Sequence, residues 1–392
     1  MRGRRLMELS AQLSSGITGF LSGAIPFLGL LTVVVFIHEL GHFLVARWCG
    51  VKVSVFSIGF GREIAGFNDR HGTRWRLSWI PLGGYVKFMD DANEASMPSK
   101  ADIEAMTPEQ QAGSFHTKSI AQKSAILVAG PVANFILAIG LLAAMLMTVG
   151  KQVTAARVDG VVAESAAAAA GFLAGDVIVS INGTAIDSFS DRQRIASTSA
   201  GDELTFVVNR GGVSTTLKAT PRVTEQPDGF GGTIRIGMLG IQRTAAAAEY
   251  TYRAFGPGQA LVQAVKDCGF IIARNLEYMG RIVTRRESGD QLGGPIRIAE
   301  VSRQVAKQGL VYFINLTAVI SIGLGIMNLL PVPPLDGGHL LFYGLEAIRR
   351  KPMNERAQEF GFKVGLALVL SLMIFATWND LGILKGWLVG KG

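Results

Sequence analysis

The sequence predicts an α-helical integral membrane protein with four transmembrane segments and polar, partly β-structured inserts between them. Three observations carry this. Four apolar stretches, at 17–46, 120–149, 311–330 and 361–378, reach or approach the run of about 20 residues that crosses a bilayer. Charged residues make up only 17% of the 392, below the roughly 25% of soluble domains. Mean hydropathy is +0.33, and basic residues gather beside the apolar stretches, at Arg62, Arg70, Arg74, Arg76 and Lys87 and again at Arg349, Arg350 and Lys351, as on the cytoplasmic flanks of membrane spans.

The first stretch follows a basic start (Arg2, Arg4, Arg5) and runs well past the core of a signal peptide, with no cleavage site closing a short apolar region. Its only ionisable residues are His38, Glu39 and His42. The second contains Gly130-Pro131, where the helix can kink or break, and Asn134, a polar group that faces protein or a cavity rather than lipid. The third ends in Asn328-Leu329-Leu330-Pro331-Val332-Pro333-Pro334-Leu335-Asp336-Gly337-Gly338, whose prolines stop a regular helix and whose glycines allow a sharp turn. The fourth ends at Trp378.

The inserts have patterns of their own. Apolar residues alternate at Val51, Val53 and Val55 and at Trp75, Leu77 and Trp79, around a turn-rich centre at 66–72. Strands are expected at 51–58, 73–79 and 85–89, punctuated by Gly59-Phe60-Gly61 and Leu82-Gly83-Gly84. Such a hairpin could offer an edge to an extended peptide. The polar stretch 90–113 reads as a loop with one short helix at 100–111. Residues 150–222 read as strands and turns, with Gly175-Asp176-Val177-Ile178, then Ile181-Asn182-Gly183, then a hairpin over 204–219. This block resembles a PDZ domain of the circularly permuted bacterial type, which takes peptide termini by strand addition. Residues 223–310 read as a linker, with a glycine-rich strand at 229–240, an amphipathic helix at 257–286 lying on the membrane or on a neighbouring domain, and a helix at 296–308 opened by Pro295.

The two cysteines, Cys49 and Cys268, are too far apart in sequence to suggest a disulfide framework and lack zinc-site spacing. The formal charge of +8 is explained by the membrane flanks, and no basic-aromatic interleave supports a nucleic-acid partner. The basic loops 48–119 and 346–357 are expected in the cytoplasm and 150–310 outside it, although the charged N-terminus opposes that orientation.

His38 and His42 stand four apart, so a helix projects both imidazoles from one face, and imidazole pairs of this kind bind zinc. Glu39 points elsewhere and can act as a base toward the attacking water. A catalytic tetrahedral site needs a third protein ligand. Glu63 and Asp69 lie in the basic loop, while Asp336 follows the third span in irregular backbone. That aspartate is the stronger candidate over a loop-capping role. A scaffold that binds partners through the PDZ-like block, or a metal transporter, are the competing readings. The first should lack Glu39 or a ligand, and the second should carry more ionisable residues in its spans.

With these residues in place, the chain resembles the site-2 protease family of intramembrane zinc metalloproteases, of the bacterial regulator of sigma-E protease type. His38-Glu39-Leu40-Gly41-His42 matches the first motif, Asp336 within Leu335-Asp336-Gly337 the third zinc ligand, Asn328 and the prolines the extended second motif, and Asn134 a further signature. The membrane-associated β-hairpin of the family corresponds to 51–89, with Gly59 and Gly61 bracketing its turn. The resemblance implies one Zn2+ ion and cleavage in or near a transmembrane helix. It also implies for Asn328 either the positioning of the substrate or its developing oxyanion, or a purely structural role. The substrate implied is a single-span anti-sigma factor already cut once, with remnant signal peptides as a further class. It places the protein in the bacterial inner membrane, its active site toward the cytoplasm and the PDZ-like domain outside. One departure is visible: a single PDZ-like block stands where the best-known members have two.

Overall fold

The computed structural model describes residues 2–90, 106–153, 156–186, 189–227, 233–242, 251–284, 293–351 and 353–380. In chain order the helices are α1 (Arg2–Trp48), α2 (Pro108–Gly113), α3 (Ile120–Thr148), α4 (Ala166–Ala169), α5 (Phe189–Thr198), α6 (Pro257–Val283), α7 (Pro295–Gln308), α8 (Leu310–Leu329), α9 (Asp336–Arg349) and α10 (Glu355–Asn379). The strands are β1 (Val53–Asn68), β2 (Arg74–Phe88), β3 (Lys151–Val153), β4 (Gly160–Val161), β5 (Val177–Ile181), β6 (Thr184–Ala185), β7 (Leu204–Arg210), β8 (Val213–Ala219), β9 (Arg222–Pro227), β10 (Thr233–Met238), β11 (Ile241–Gln242) and β12 (Thr251–Arg253). The chain forms two compact units, Met1–Leu142 with Ala264–Gly392, and Ala143–Gln263.

The first unit holds four helices long and apolar enough to cross a membrane: Gly23–Trp48 within α1, then α3, α8 and Arg356–Asn379 within α10. These are the four apolar stretches of the sequence. α1 begins at Arg2, well before the expected start at 17. α3 runs unbroken through Pro131, since one missing N–H leaves its other backbone bonds intact. α8 ends at Leu329, just ahead of the prolines, and Asp336 opens α9. Asn354 caps α10 by accepting the Arg356 N–H at 3.2 Å. The N-terminus of α7 has no cap of its own. Asp380, at the far end of α10, accepts the Arg297 N–H at 2.9 Å.

The hairpin has two long strands where the pattern suggested three. The 53–58 part of β1 pairs on one side with the end of β2 (Phe56 with Val86, Ile58 with Gly84) and on the other with its start (Phe56 with Trp75, Ile58 with Leu77). The 74–77 part of β2 pairs in turn with 65–68 (Phe67 with Trp75). Each strand therefore bends back on itself, and the ribbon becomes a small sheet in the order 84–88, 53–58, 74–77, 65–68. The bends need left-handed backbone, found at Gly59 (φ +85°) and Gly83 (φ +125°). The tip is closed by Asp69, which accepts the His71 and Thr73 N–H groups at 2.8 and 3.0 Å and pairs with Arg47 of α1 at 2.8 Å. Phe36, Leu40 and Phe43 on one stripe of α1 pack with Phe56 and Trp75. The expected helix at 100–111 is found at Pro108–Gly113, with 91–105 outside the described residues.

In the second unit, a sheet in the order β6-β5-β7-β8 covers a core of Val158, Phe172, Ile178, Ile181, Phe206 and Val208. The unit is larger than the block 150–222 read from the sequence. Leu239 is part of the same core and Ile241 pairs with Val161, so this part of the assigned linker 223–310 packs into the unit. α6 matches the expected helix through Val283, and 285–286 lie outside the described residues. Fully buried Asp176 holds Arg210 in a two-pronged pair, Nε to Oδ1 at 2.7 Å and Nη2 to Oδ2 at 2.8 Å, and accepts the Leu173 N–H at 2.9 Å.

Hydrogen bonding from Arg210 holds the Asp176 carboxyl below the ordinary range, against the opposing effect of burial. Its contribution to stability is therefore complete above the ordinary aspartate pKa and is lost as pH falls through the depressed value. Asp176→Asn should destabilise this unit by about 2 kcal/mol at neutral pH. Hydrogen exchange of the intact protein should show this as faster exchange confined to this unit, Leu239 and Ile241 included, with the difference disappearing in strong acid.

Candidate metal centre

The centre is assembled from three helices. α1 supplies His38 and His42, which project from one face with their rings edge-on at 4.7 Å between centroids. α9 supplies Asp336 at its first turn. The two Nε2 atoms lie 3.1 Å apart, and Asp336 Oδ2 lies 3.2 Å from that of His38 and 3.5 Å from that of His42. α3 contributes the backing. The Ile126 carbonyl accepts the His42 Nδ1–H at 2.8 Å, so in the neutral ring Nε2 carries a lone pair. Asn134, fully buried, lies against His38 Nδ1 with its amide at 3.3 Å. Its Oδ1 has no other partner among the described residues. The two orientations of an amide have the same shape, and the one that sets Oδ1 toward Nδ1–H satisfies both groups. It also leaves the His38 Nε2 lone pair facing the centre. Ser321 of α8 donates to the Asn134 backbone carbonyl at 2.9 Å.

Asp336 presents one carboxylate oxygen to both imidazoles. Its Oδ2 is buried and makes no hydrogen bond among the described residues. Two imidazole lone pairs and one carboxylate oxygen thus converge on a single point, an arrangement that repels itself unless a cation sits there. His38, His42 and Asp336 are the one group among the described residues able to hold a metal ion in this way. Two nitrogens and an oxygen suit zinc with a fourth position open. The packing reserves this space. A side chain at Gly130 would strike His42 Nε2 and come within 2.8 Å of His38 Cε1, and one at Gly41 would strike the Ala129 carbonyl. α1 and α3 can approach this closely only with glycine at both positions.

Glu39 lies beside this group, half-buried, with its carboxylate at the hairpin and accepting the Val86 N–H. The other residues singled out in the sequence stand apart. A side chain at Gly59 would strike the Ile80 carbonyl across the hairpin bend, and one at Gly61 would meet only the Ile80 side chain. Asn328, on the last turn of α8, is half-buried and makes no hydrogen bond among the described residues. Three contributors were not evident beforehand. Gly130 read as part of a kink. The Ile126 carbonyl is backbone and leaves no trace in sequence. The one sequence signal for Ser321 is that it is a small polar residue inside an apolar stretch.

Residues 26–372 match the model of Peptidase family M50. A protein of Mesorhizobium japonicum named as a zinc metalloprotease is 46% identical over 363 residues, covering 92% of this chain and 99% of that protein. One of Brucella suis, named likewise, is 45% identical over 376 residues, covering 96% and 99%. Metalloprotease MmpA of Caulobacter vibrioides is 40% identical over 385 residues, covering 93% and 96%.

Gly130→Val should lower bound zinc at least ten-fold, measured by elemental analysis of the purified protein. Gly140→Val, on the same helix where a side chain meets open space, should leave zinc content at the parent level.

Proposed function

The chain belongs to peptidase family M50, and from that premise we propose that it hydrolyses peptide bonds in or beside the membrane-spanning segments of its substrates, with Glu39 as the base and His38, His42 and Asp336 as zinc ligands. It is a zinc metalloendopeptidase and a membrane protein by its family and its relatives. The observation that carries the finer reading is the position of His38 and His42 within Gly23–Trp48, a helix apolar enough to cross a bilayer. Ionisable groups at such depth are costly and mark function.

Zinc held by these three residues supplies Lewis acidity, bringing the pKa of water toward neutrality and polarising the scissile carbonyl. The chain's own residues do the rest. The Ile126 carbonyl and Asn134 fix the ring orientations of His42 and His38. Glu39 takes a proton from the attacking water as the C–O bond forms, and passes it to the leaving nitrogen as the C–N bond breaks. The Asn328 side chain, with no hydrogen bond among the described residues, is available to position the substrate or its developing oxyanion.

A peptide must leave its helix to expose a carbonyl, and strand pairing with the hairpin stabilises the extended form. The 84–88 edge of the small sheet is the one beside Glu39. The far part of the hairpin exposes Ile64, Phe67, Trp79 and Ile80, with Phe67 at 62% and Trp79 at 68% exposure, which suits contact with lipid. The second unit serves as a PDZ-like module that receives peptide termini. The fitting substrates are single-span proteins already shortened by another protease, an anti-sigma factor by resemblance, together with remnant signal peptides. The basic loops favour a bacterial inner-membrane orientation with the active site toward the cytoplasm and the PDZ-like unit outside.

Glu39→Gln should retain zinc at the parent level and lose at least a thousand-fold in cleavage of a transmembrane substrate reconstituted with it in vesicles. Cleavage at the parent rate would remove Glu39 from the mechanism. Asp336→Ala should lose both zinc and cleavage, and retention of both would reject the third ligand.

A further inference from the structure

Glu39 is adjacent in sequence to a zinc ligand but does not share the ligands' direction, so something else must orient its carboxylate. That partner is the edge of the hairpin. The Val86 N–H hydrogen-bonds to the Glu39 carboxylate. This N–H therefore faces away from the neighbouring strand segment 53–58, although Val86 stands opposite Phe56 in the ladder. Two residues earlier, Gly84 lies where a Cβ would be 3.4 Å from Glu39 Cγ, 3.5 Å from Val35 Cγ1 and 2.7 Å from the Ser57 carbonyl oxygen. The last distance is too short for any real side chain. An alanine there would have to part the strand either from its neighbour or from α1.

The strand cannot easily give way on the other side. Phe36 and Phe43 of α1 meet Phe56 edge-on, at 5.8 and 5.4 Å between centroids. Thr73 Oγ1 also ties the start of β1, donating to the Val53 carbonyl at 2.9 Å. The edge is thus pressed onto the helix beside Val35 and Glu39.

We infer that the 84–86 edge of β2 is a positioning element for the catalytic base: the Val86 N–H pins one carboxylate oxygen of Glu39, and the missing side chain of Gly84 lets the strand close far enough to do so. The pinned oxygen sets the rotamer, and the other oxygen is left to take the proton. The inference rests on Glu39 acting as the base. It differs from the pairing proposed for substrate in assigning this particular N–H to the enzyme's own glutamate.

The test uses the full chain in vesicles with a transmembrane substrate. Val86→Pro deletes the N–H at an edge position, where proline is tolerated because no ladder bond is lost. It should lower kcat at least ten-fold while KM stays within two-fold and bound zinc is unchanged. Val86→Ala restores the N–H and should recover at least five-fold of that loss. Gly84→Ala should lower kcat in the same manner without raising KM, and it decides the matter alone if Val86→Pro fails to retain zinc. Parent kcat in Val86→Pro, or a raised KM at unchanged kcat in either variant, overturns the inference. The second outcome would assign the edge to the substrate. Glu39→Gln measured alongside separates the two levels. If it is inactive while Val86→Pro is fully active, the base stands and only the positioning role falls.

Discussion

The structure depends on one electrostatic constraint. Two imidazole nitrogens and a carboxylate oxygen are brought within 3.5 Å of one another in a region where water is scarce. Without a cation these groups repel, and burying a charged or polar group without a partner costs several kcal/mol. With zinc the same crowding becomes a coordination shell. Everything nearby can be understood as holding this arrangement. The Ile126 carbonyl and Asn134 direct the ring nitrogens, and Gly41 and Gly130 let α1 and α3 come close enough to do so.

α3 is the template for the centre, though it contributes no ligand. Its Ile126, Gly130 and Asn134 are spaced four apart and lie along one face, so a single stripe touches both histidines. Ser321 extends this order into α8 through the Asn134 carbonyl. His38, His42, Asn134 and Ser321 thus form a connected set around the metal site. In a low-dielectric environment, a set of this kind is rigid when complete and costly when broken.

The hairpin adds a second constraint. An antiparallel pair of about 15 residues per strand would be a long, flat ribbon with two exposed edges. Its glycine bends turn it into a compact sheet instead, with one edge against the helix that carries the zinc motif. The same folding leaves Ile64, Phe67, Trp79 and Ile80 exposed. A rigid platform beside the base and an apolar surface further out are both consequences of where Gly59 and Gly83 fall in the strands.

The sequence by itself determined the four spans, the helical pairing of His38 with His42 and the separate direction of Glu39, because each follows from local periodicity or from the cost of charge in an apolar run. It also singled out Asp336, through the prolines and glycines around it. Other features were not legible. The curl of the hairpin depends on which segments of two strands pair, and alternation alone is the same for a straight ribbon. The inclusion of Leu239 and Ile241 in the second unit depends on a pairing across about 80 residues. The contacts of Ile126 and Val86 are made by backbone atoms, which every residue possesses. The side chain of Asn328, prominent in the sequence, has no hydrogen-bond partner among the described residues. Only the tertiary structure could decide these points. They are set by which backbone groups meet once the helices close on the glycines, and that meeting depends on distance in space rather than on the identity of any one residue.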